Sequence, residues 1–295
     1  MYDKKKQLEA LLAQCAPHGH LALAFSGGLD SRFLACFAQG LGLRPLLLHV
    51  TGPQLAESDS AQARVWARQR GLELLCLRIN PLDRPELAAN GRNRCYFCKK
   101  TLMQAMQDTI RKHRGDHRRE DRKNNRQKVG PPLLLCEGSN ASDLSEYRPG
   151  IKALQELGIR SPLAESGLTK PEIRLLAGQL DLDRPNQRPR PCMLTRFAYD
   201  LPPTTEALLA LARAEAAIEM ILLERYGESR LPDYRLRKLS ADRQELHIDA
   251  RAQQELDEAG LAARLAEAVH SITGLPLAAI RFEAKLSGFF DRASS

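Results

Sequence analysis

The sequence contains no apolar stretch long enough to cross a membrane as a helix. Its longest apolar runs, such as 45–50 and 133–136, are strand-sized. The N-terminus, Met1-Tyr2-Asp3-Lys4-Lys5-Lys6, lacks both a long apolar stretch and a small-residue cleavage site, so no signal peptide and a cytoplasmic location are expected. Internal repeats are absent, which excludes solenoids and propellers. Aromatic residues are scarce, at 5%, with a single Trp. None interleaves with the basic residues of 111–128, so a stacking surface for single-stranded nucleic acid is not expected there.

What is present fits a globular chain of more than one domain: 295 residues, 43% hydrophobic and 27% charged. The net charge of +8 is unevenly placed. Residues 111–128 hold nine Lys/Arg against three Asp/Glu. The basicity therefore belongs to one stretch, about 112–130, and reads as a solvated, mobile insertion. Among the seven cysteines, Cys15, Cys36, Cys76 and Cys136 lie in apolar patterns and are expected in the core. Cys95, Cys98 and Cys192 lie among arginines and call for chemistry instead.

Apolar runs at 21–25, 45–51, 74–79 and 133–137 alternate with helical spacing at 5–15, 31–40, 59–70 and 98–112. That alternation predicts an α/β domain over 1–200, with a parallel sheet covered on both faces. Leu201-Pro202-Pro203 reads as a hinge. Beyond it, a helix over 204–226, strands over 234–239 and 245–248, a helix over 253–273 and a strand over 278–282 predict a smaller α+β domain, 201–295.

Ser26-Gly27-Gly28-Leu29-Asp30-Ser31 follows a predicted strand and opens a predicted helix. Backbone N–H groups and the helix dipole favour an anion at such a junction. Two glycines allow close approach of a phosphate, and Ser26 and Ser31 add hydroxyls. Asp30 repels phosphate; it orients the loop or holds a metal through water. No lysine follows the glycines, which excludes the Walker loop, and the dinucleotide spacing is absent too. The segment resembles the PP-loop of ATP pyrophosphatases, which cleave ATP between the α and β phosphates.

Asn93-Arg94-Cys95-Tyr96-Phe97-Cys98-Lys99-Lys100 carries two thiols able to clasp one metal or cluster. Cys192 sits in Arg188-Pro189-Arg190-Pro191-Cys192-Met193-Leu194-Thr195-Arg196. With Glu137-Gly138-Ser139-Asn140-Ala141-Ser142-Asp143, Glu146-Tyr147-Arg148-Pro149-Gly150, Ser161-Pro162-Leu163 and Gly167-Leu168-Thr169-Lys170, these segments are similar to motifs of the LarE family of ATP-dependent sulfur transferases. The likeness runs from about residue 5 to 200.

The resemblance implies an adenine nucleotide alpha hydrolase-like PP-loop domain. It implies adenylation of a pyridinium carboxylate mononucleotide and its conversion to a thiocarboxylate, in the synthesis of a nickel-pincer nucleotide. ATP with Mg²⁺ would meet Ser26, Gly27, Gly28, Asp30, Ser31, Thr51 and Gly138. Cys192 is the implied catalytic residue. Family members with three cysteines place a [4Fe–4S] cluster on the positions of Cys95, Cys98 and Cys192; others sacrifice the sulfur of the cysteine matching Cys192 and lack the pair. Arg148, Thr195, Arg196, Arg235 and Arg237 are the implied substrate residues, the last two suited to a phosphate. His247 stands where the family carries an acidic residue, and the usual C-terminal acid has no clear counterpart, with Arg281 or Glu283 nearby. The partners implied are a small nucleotide substrate and further copies of the chain, not nucleic acid or a membrane.

Three other readings compete at this stage. A PP-loop tRNA thiolase draws support from the basic stretch. A nucleotide-binding or metal-sensing protein without turnover requires an inert Cys192. An amidating ligase with a structural zinc would want four ligands where three suitable cysteines stand.

Overall fold

The first apolar runs form β1, His20–Ala24, and β2, Arg44–Thr51, in a computed structural model that describes residues 1–123, 133–145, 149–253 and 260–292, with backbone alone for 114–123 and 145. The described chain divides into two compact units. The first takes in Met1–Thr51, Glu57–Ile79 and Cys95–Pro189, and the second Gly52–Ala56, Asn80–Arg94 and Arg190–Ser295.

In the first unit, β1 and β2 join β3, Leu74–Arg78, and β4, Leu135–Cys136, in a four-stranded sheet of order β3-β2-β1-β4. All of its pairings are parallel, with Leu23 opposite both Leu47 and Cys136. This is the α/β, parallel-sheet class expected. The helices are α1, Tyr2–Cys15; α2, Leu29–Gly40; and α3, Glu57–Gln69. The unit also holds α5, Arg94–Lys123; α6, Gly150–Glu156; α7, Pro162–Glu165; and α8, Lys170–Gln179. The short α4, Pro85–Ala88, belongs to the second unit.

Strand side chains alternate between two cores, as a period of two requires. Leu21, Leu23 and Phe25 pack with Leu8 and Leu12 of α1, Phe33 of α2 and Trp66 of α3. Ala22, Leu46, Leu48 and Leu135 pack with Met103, Met106 and Ile110, one face of α5. The sheet is therefore covered on both sides. Cys15 and Cys136 are buried as expected, but the expected burial of Cys76 does not hold. Cys76 is exposed because β3 is the edge strand and only half-buried along its length.

The helix expected over 98–112 begins earlier and continues to Lys123, through part of the basic stretch, which contains no proline to stop it. The rest of that stretch, 124–130, lies outside the described residues.

In the second unit, Thr204 caps α9, Thr205–Arg230, by accepting from the Ala207 N–H at 3.1 Å. Gly227 breaks the helix near its end, with φ of 66°. Strand β5, Tyr234–Lys238, pairs antiparallel with β6, Gln244–Asp249, which pairs parallel with β7, Leu277–Glu283. Helix α10, Leu261–Thr273, makes the crossover, and α11, Phe289–Arg292, follows the sheet. Leu236, Leu246 and Ile248 of one sheet face meet Leu211, Ile218 and Leu222 of α9 and Leu265 and Val269 of α10. Met193, Leu194 and Phe197 join this same core. No described helix is long and apolar enough to cross a membrane.

Leu47 is fully buried on an interior strand, whereas Met220 of α9 is 72% exposed. Leu47→Ala should cost about 2–5 kcal/mol. Met220→Ala should change stability by less than about 0.5 kcal/mol. Urea unfolding followed by circular dichroism measures both, and equal losses would contradict this assignment of the core.

Candidate functional site

In the first unit, the sheet order reverses direction at β1: β2 and β3 lie on one side and β4 on the other. Open α/β sheets bind ligands at the carboxyl ends of the strands flanking such a switch. Here those ends deliver Ser26–Ser31 after β1 and Glu137–Gly138 after β4. Gly28 caps α2 without a side-chain bond, and the Arg32 N–H to Gly28 carbonyl bond, 3.0 Å, starts the helix. The N–H groups of Leu29, Asp30 and Ser31 stand ahead of it, where a helix end attracts anions.

Hydroxyls brace the loop. Ser26 Oγ accepts from the Gly28 N–H at 3.2 Å and lies 3.2 Å from Ser31 Oγ, while Ser31 Oγ donates to the Gly28 carbonyl at 3.0 Å. Gly27 has φ of +76°, and a β-carbon there would stand 3.0 Å from Ala63 Cβ. A β-carbon on Gly138 would come within 3.2 Å of the Ser31 nitrogen. A side chain at either glycine would push its neighbour back by a few tenths of an ångström, and at Gly27 it would also meet an unfavourable backbone conformation.

Asp30 points to protein, not to a phosphate position. Lys170 Nζ reaches both of its carboxylate oxygens at 2.8 Å, and Asn140 Nδ2 donates at 3.3 Å. Burial pushes the Asp30 carboxyl above its usual range, with Lys170 pulling the other way. Lys170 opens α8, whose Thr169–Glu172 capping box is tied in turn to Lys4. His49 of β2 holds the other end of the loop. Its Nδ1 lies 2.8 Å from the Phe25 carbonyl and so donates, which leaves Nε2 to accept from Ser60 Oγ at 3.0 Å. Burial lowers the His49 pKa and keeps the ring neutral. Thr51 ends β2, its hydroxyl 3.4 Å from the Leu77 carbonyl.

The thiols Cys95 and Cys98 occupy the first turns of α5, three residues apart, a spacing that puts both on one side of a helix. Cys95 is exposed and Cys98 half-buried. The next residue, Lys99, pairs with buried Glu137 at 3.1 Å. Glu137 also accepts from Ser139 N and Oγ, each at 2.9 Å, and from Ser161 Oγ at 2.6 Å. Burial raises its carboxyl, but Lys99 and these hydrogen bonds outweigh it, so the pKa falls below the usual value. Through Lys99 and Glu137, the thiol-bearing helix is fastened to the residue preceding Gly138.

In the second unit, half-buried Cys192 precedes a 3₁₀ turn, Met193–Arg196. Its carbonyl accepts from Thr195 Oγ1 at 2.7 Å, and the Met193 N–H donates to the Gln54 carbonyl at 2.8 Å. Arg196 is buried and pairs with Glu215 through two bonds of 2.8 and 2.7 Å. Its remaining nitrogen donates to the Pro191 carbonyl at 3.1 Å. Thr195 and Arg196 thereby grip the backbone on both sides of Cys192.

Arg235 and Arg237 share the sheet face away from the core, opposite His247 and Glu245 of β6. Arg237 lies over the rings of Phe289 and Phe290, at 4.6 and 5.5 Å. Burial, then repulsion from Arg196 and Arg235, pushes its pKa down to about 10. His247 is fully buried, 3.4 Å from Glu245 and 3.3 Å from Glu283, yet neither ring nitrogen makes a hydrogen bond. Burial and Arg237 push it down to about 4. Arg148 lies outside the described residues. Within each unit, the described residues form no group of three or more His, Cys, Asp or Glu able to hold a metal ion. Sequence reasoning gave no role to His49, Asn140 or Lys170, although Asn140 and Lys170 lie in segments that carried the resemblance.

No family model matches the chain. It is 32% identical over 213 residues to an uncharacterized protein of Synechocystis sp., covering 70% of this chain and 69% of the relative. It is 26% identical over 215 residues to an uncharacterized protein of Methanocaldococcus jannaschii, covering 73% and 74%. It is also 25% identical over 197 residues, 66% of this chain and 65% of the relative, to the pyridinium-3,5-bisthiocarboxylic acid mononucleotide synthase of Lactiplantibacillus plantarum. The chain belongs to one family with the uncharacterized Synechocystis protein, and the synthase is a more distant homologue.

The buried imidazole gives a pH test. Its folded pKa of about 4 lies below the unfolded value of 6.5, so the unfolded chain takes up a proton that the folded chain refuses. Stability should fall as pH drops from 6.5 towards 4, by at most about 1.4 kcal/mol per pH unit from this group. His247→Gln should remove that part of the slope. Melting temperatures of both proteins across pH 7 to 4 decide it, and parallel curves would show that His247 does not titrate as a buried neutral ring.

Proposed function

We propose that this protein is an ATP-dependent sulfur transferase that adenylates a pyridinium carboxylate mononucleotide and converts the carboxylate to a thiocarboxylate, a step toward a nickel-pincer nucleotide. One observation carries the reading: at the switch point, Gly138 stands against the first turn of α2, behind an amide-rich loop of PP-loop sequence. The named activity of the Lactiplantibacillus plantarum relative supplies the substrate class.

In this reading the loop amides of Gly27–Ser31, with the Ser26 and Ser31 hydroxyls, hold the departing pyrophosphate of a Mg²⁺-bound ATP. Thr51 and Gly138 border the nucleotide. Asp30 acts by bracing the loop through Lys170 and Asn140. The substrate carboxylate attacks the α-phosphorus and pyrophosphate leaves; a sulfur nucleophile then adds to the acyl carbon and AMP leaves. Arg235 and Arg237 receive the substrate phosphate, because an anion relieves the repulsion that Arg196 exerts on both, and Arg148 is a further substrate residue in this proposal. Thr195 and Arg196 keep Cys192 in place.

The Cys95 and Cys98 thiols fit two sites of a [4Fe–4S] cluster by chemistry and spacing, and Cys192 is the third ligand in this proposal. When bound, such a cluster supplies an open iron able to carry sulfide. The reading further proposes a PP-loop domain over 1–200, a C-terminal α+β domain over 201–295, a cytoplasmic location, a homo-oligomer and no nucleic-acid partner.

Anaerobic protein given ATP, Mg²⁺, the dicarboxylate mononucleotide and sulfide should release AMP and pyrophosphate and form the thiocarboxylate, read by mass spectrometry. Gly27→Val should lower AMP release at least 100-fold. Cys192→Ala should abolish thiocarboxylate while ATP still binds. An active Cys192→Ala variant would remove the sulfur-transfer reading. Loss of one H₂S from Cys192 after turnover, with Cys95→Ala active, would replace the cluster by a sacrificial cysteine. Iron and sulfide analysis gives the same answer without turnover.

A further inference from the structure

Residues 284–292 follow β7 and turn back onto the sheet face that carries Arg237. Ser287-Gly288 makes the turn, with φ of 64° at Gly288. Ahead of it, the Leu286 carbonyl accepts from Arg237 Nη2 at 2.5 Å. Past it, the Phe289 and Phe290 rings lie against the same guanidinium, and the Phe289 ring meets His247 edge-on at 4.5 Å. Asp291 accepts from the Tyr199 hydroxyl. Arg292 folds back to the carbonyls of Ser287 and Lys285, at 2.5 and 2.8 Å.

A carbonyl and two rings are weak substitutes for an anion. Arg237 is 4% exposed and, among the described residues, forms no salt bridge; Glu215 and Glu283 act on it only from farther away. Its Nε is buried with no hydrogen-bond partner among the described residues, while Nη2 holds only the Leu286 carbonyl. Nε and Nη2 form the edge of a guanidinium that takes two oxygens of one phosphate in parallel bonds. A phosphate seated on that edge would satisfy both N–H groups and supply the missing charge. It would also need the place of the Leu286 carbonyl.

The segment is lightly held. Ala284, Lys285, Ser287, Gly288, Asp291 and Arg292 are exposed, and only Phe290 is buried. Helix α11 is a single turn, too short to be stable by itself. Segments with few buried contacts open at low cost while the rest of the domain stays folded.

We propose that residues 285–292 form a strap that closes over the Arg237 edge, and that a phosphate monoester binds there by displacing it. This inference rests on the reading above in which Arg235 and Arg237 receive the substrate phosphate. The Leu286 carbonyl marks the place of a phosphate oxygen. The contacts of Phe289, Phe290 and Asp291 set how strongly the strap competes for it.

The test uses the full-length protein with ribose 5-phosphate as the probe and no ATP. Trypsin cleavage after Lys285, read by mass spectrometry, reports the strap. Calorimetry reports binding, with Arg237→Gln as the control for this face. Saturating probe should speed cleavage after Lys285 at least about threefold in the wild type and have no effect on it in Arg237→Gln. Asp291→Ala cuts the tie to Tyr199 and leaves Arg237 in place. It should speed cleavage without probe and lower the half-saturating probe concentration by about threefold or more. Tyr199→Phe cuts the same tie from the other side and decides alone should Asp291→Ala fail to fold. Binding that needs Arg237, with cleavage unchanged or slowed by the probe, overturns the strap and leaves the phosphate reading standing. So does a half-saturation equal to wild type in the folded variants. No Arg237-dependent binding in the wild type or in either variant overturns the phosphate reading, and this inference with it.

Discussion

The first unit's site depends on one close approach: the backbone of Gly138 against the Ser31 amide, where a β-carbon would stand 3.2 Å away. It is possible because β4 pairs with β1 on the side opposite β2, so two strand ends open at one place. The first turn of α2 thereby meets bare backbone instead of a side chain. His49 fixes the carbonyl entering the loop, and Lys170 with Asn140 fixes Asp30 beyond it. The amides at the helix end are held from both sides before any anion arrives, and such preorganisation makes donors effective.

Buried arginines serve three segments that run without a ladder. Arg32 serves 183–187. Arg196 serves the Pro191 carbonyl. Arg94, lying 4.5 Å from the Tyr199 ring, donates to Asn90 and to the Phe197 carbonyl, while Asn90 donates to the carbonyls of Ala198 and Leu201. Buried carbonyls require donors, and irregular segments cannot supply them from neighbouring strands. A guanidinium, with five donors in a rigid fork, satisfies several at once. The same residues that make these loops stable also make them stiff.

Local patterns were legible in the sequence: the strands and helices flanking the phosphate loop, the long helix after the hinge and the strand that carries Arg235 and Arg237. Those signals lie within a few residues of the structure they specify. Long-range partners were not legible. Lys170 is 140 positions from Asp30, and nothing near either residue announces the pairing. Arg32 reads locally as one more polar position on a helix, since its acceptors lie more than 150 residues away. The order of the chain likewise gives no sign that Asn80–Arg94 folds with Arg190–Ser295. Cys76 misled because an apolar strand pattern says nothing about whether the strand is interior or at an edge.

The polar face of the second sheet combines these themes. Arg237 is depressed to about 10 by burial and by two neighbouring arginines, so its charge is held at some cost to the fold. Arg196 spends its charge on Glu215, and Glu245 is engaged by Arg243 and Arg281. An acid at position 247 would offset part of the remaining repulsion. A histidine pushed down to about 4 stays neutral near pH 7 and offers none. Glu283 supplies part of the missing negative charge, and any anion that bound only the folded chain at this face would raise its stability by RT ln(1 + [L]/Kd). On these grounds a neutral His247 leaves Arg235 and Arg237 beside less negative charge than an acid at that position would supply.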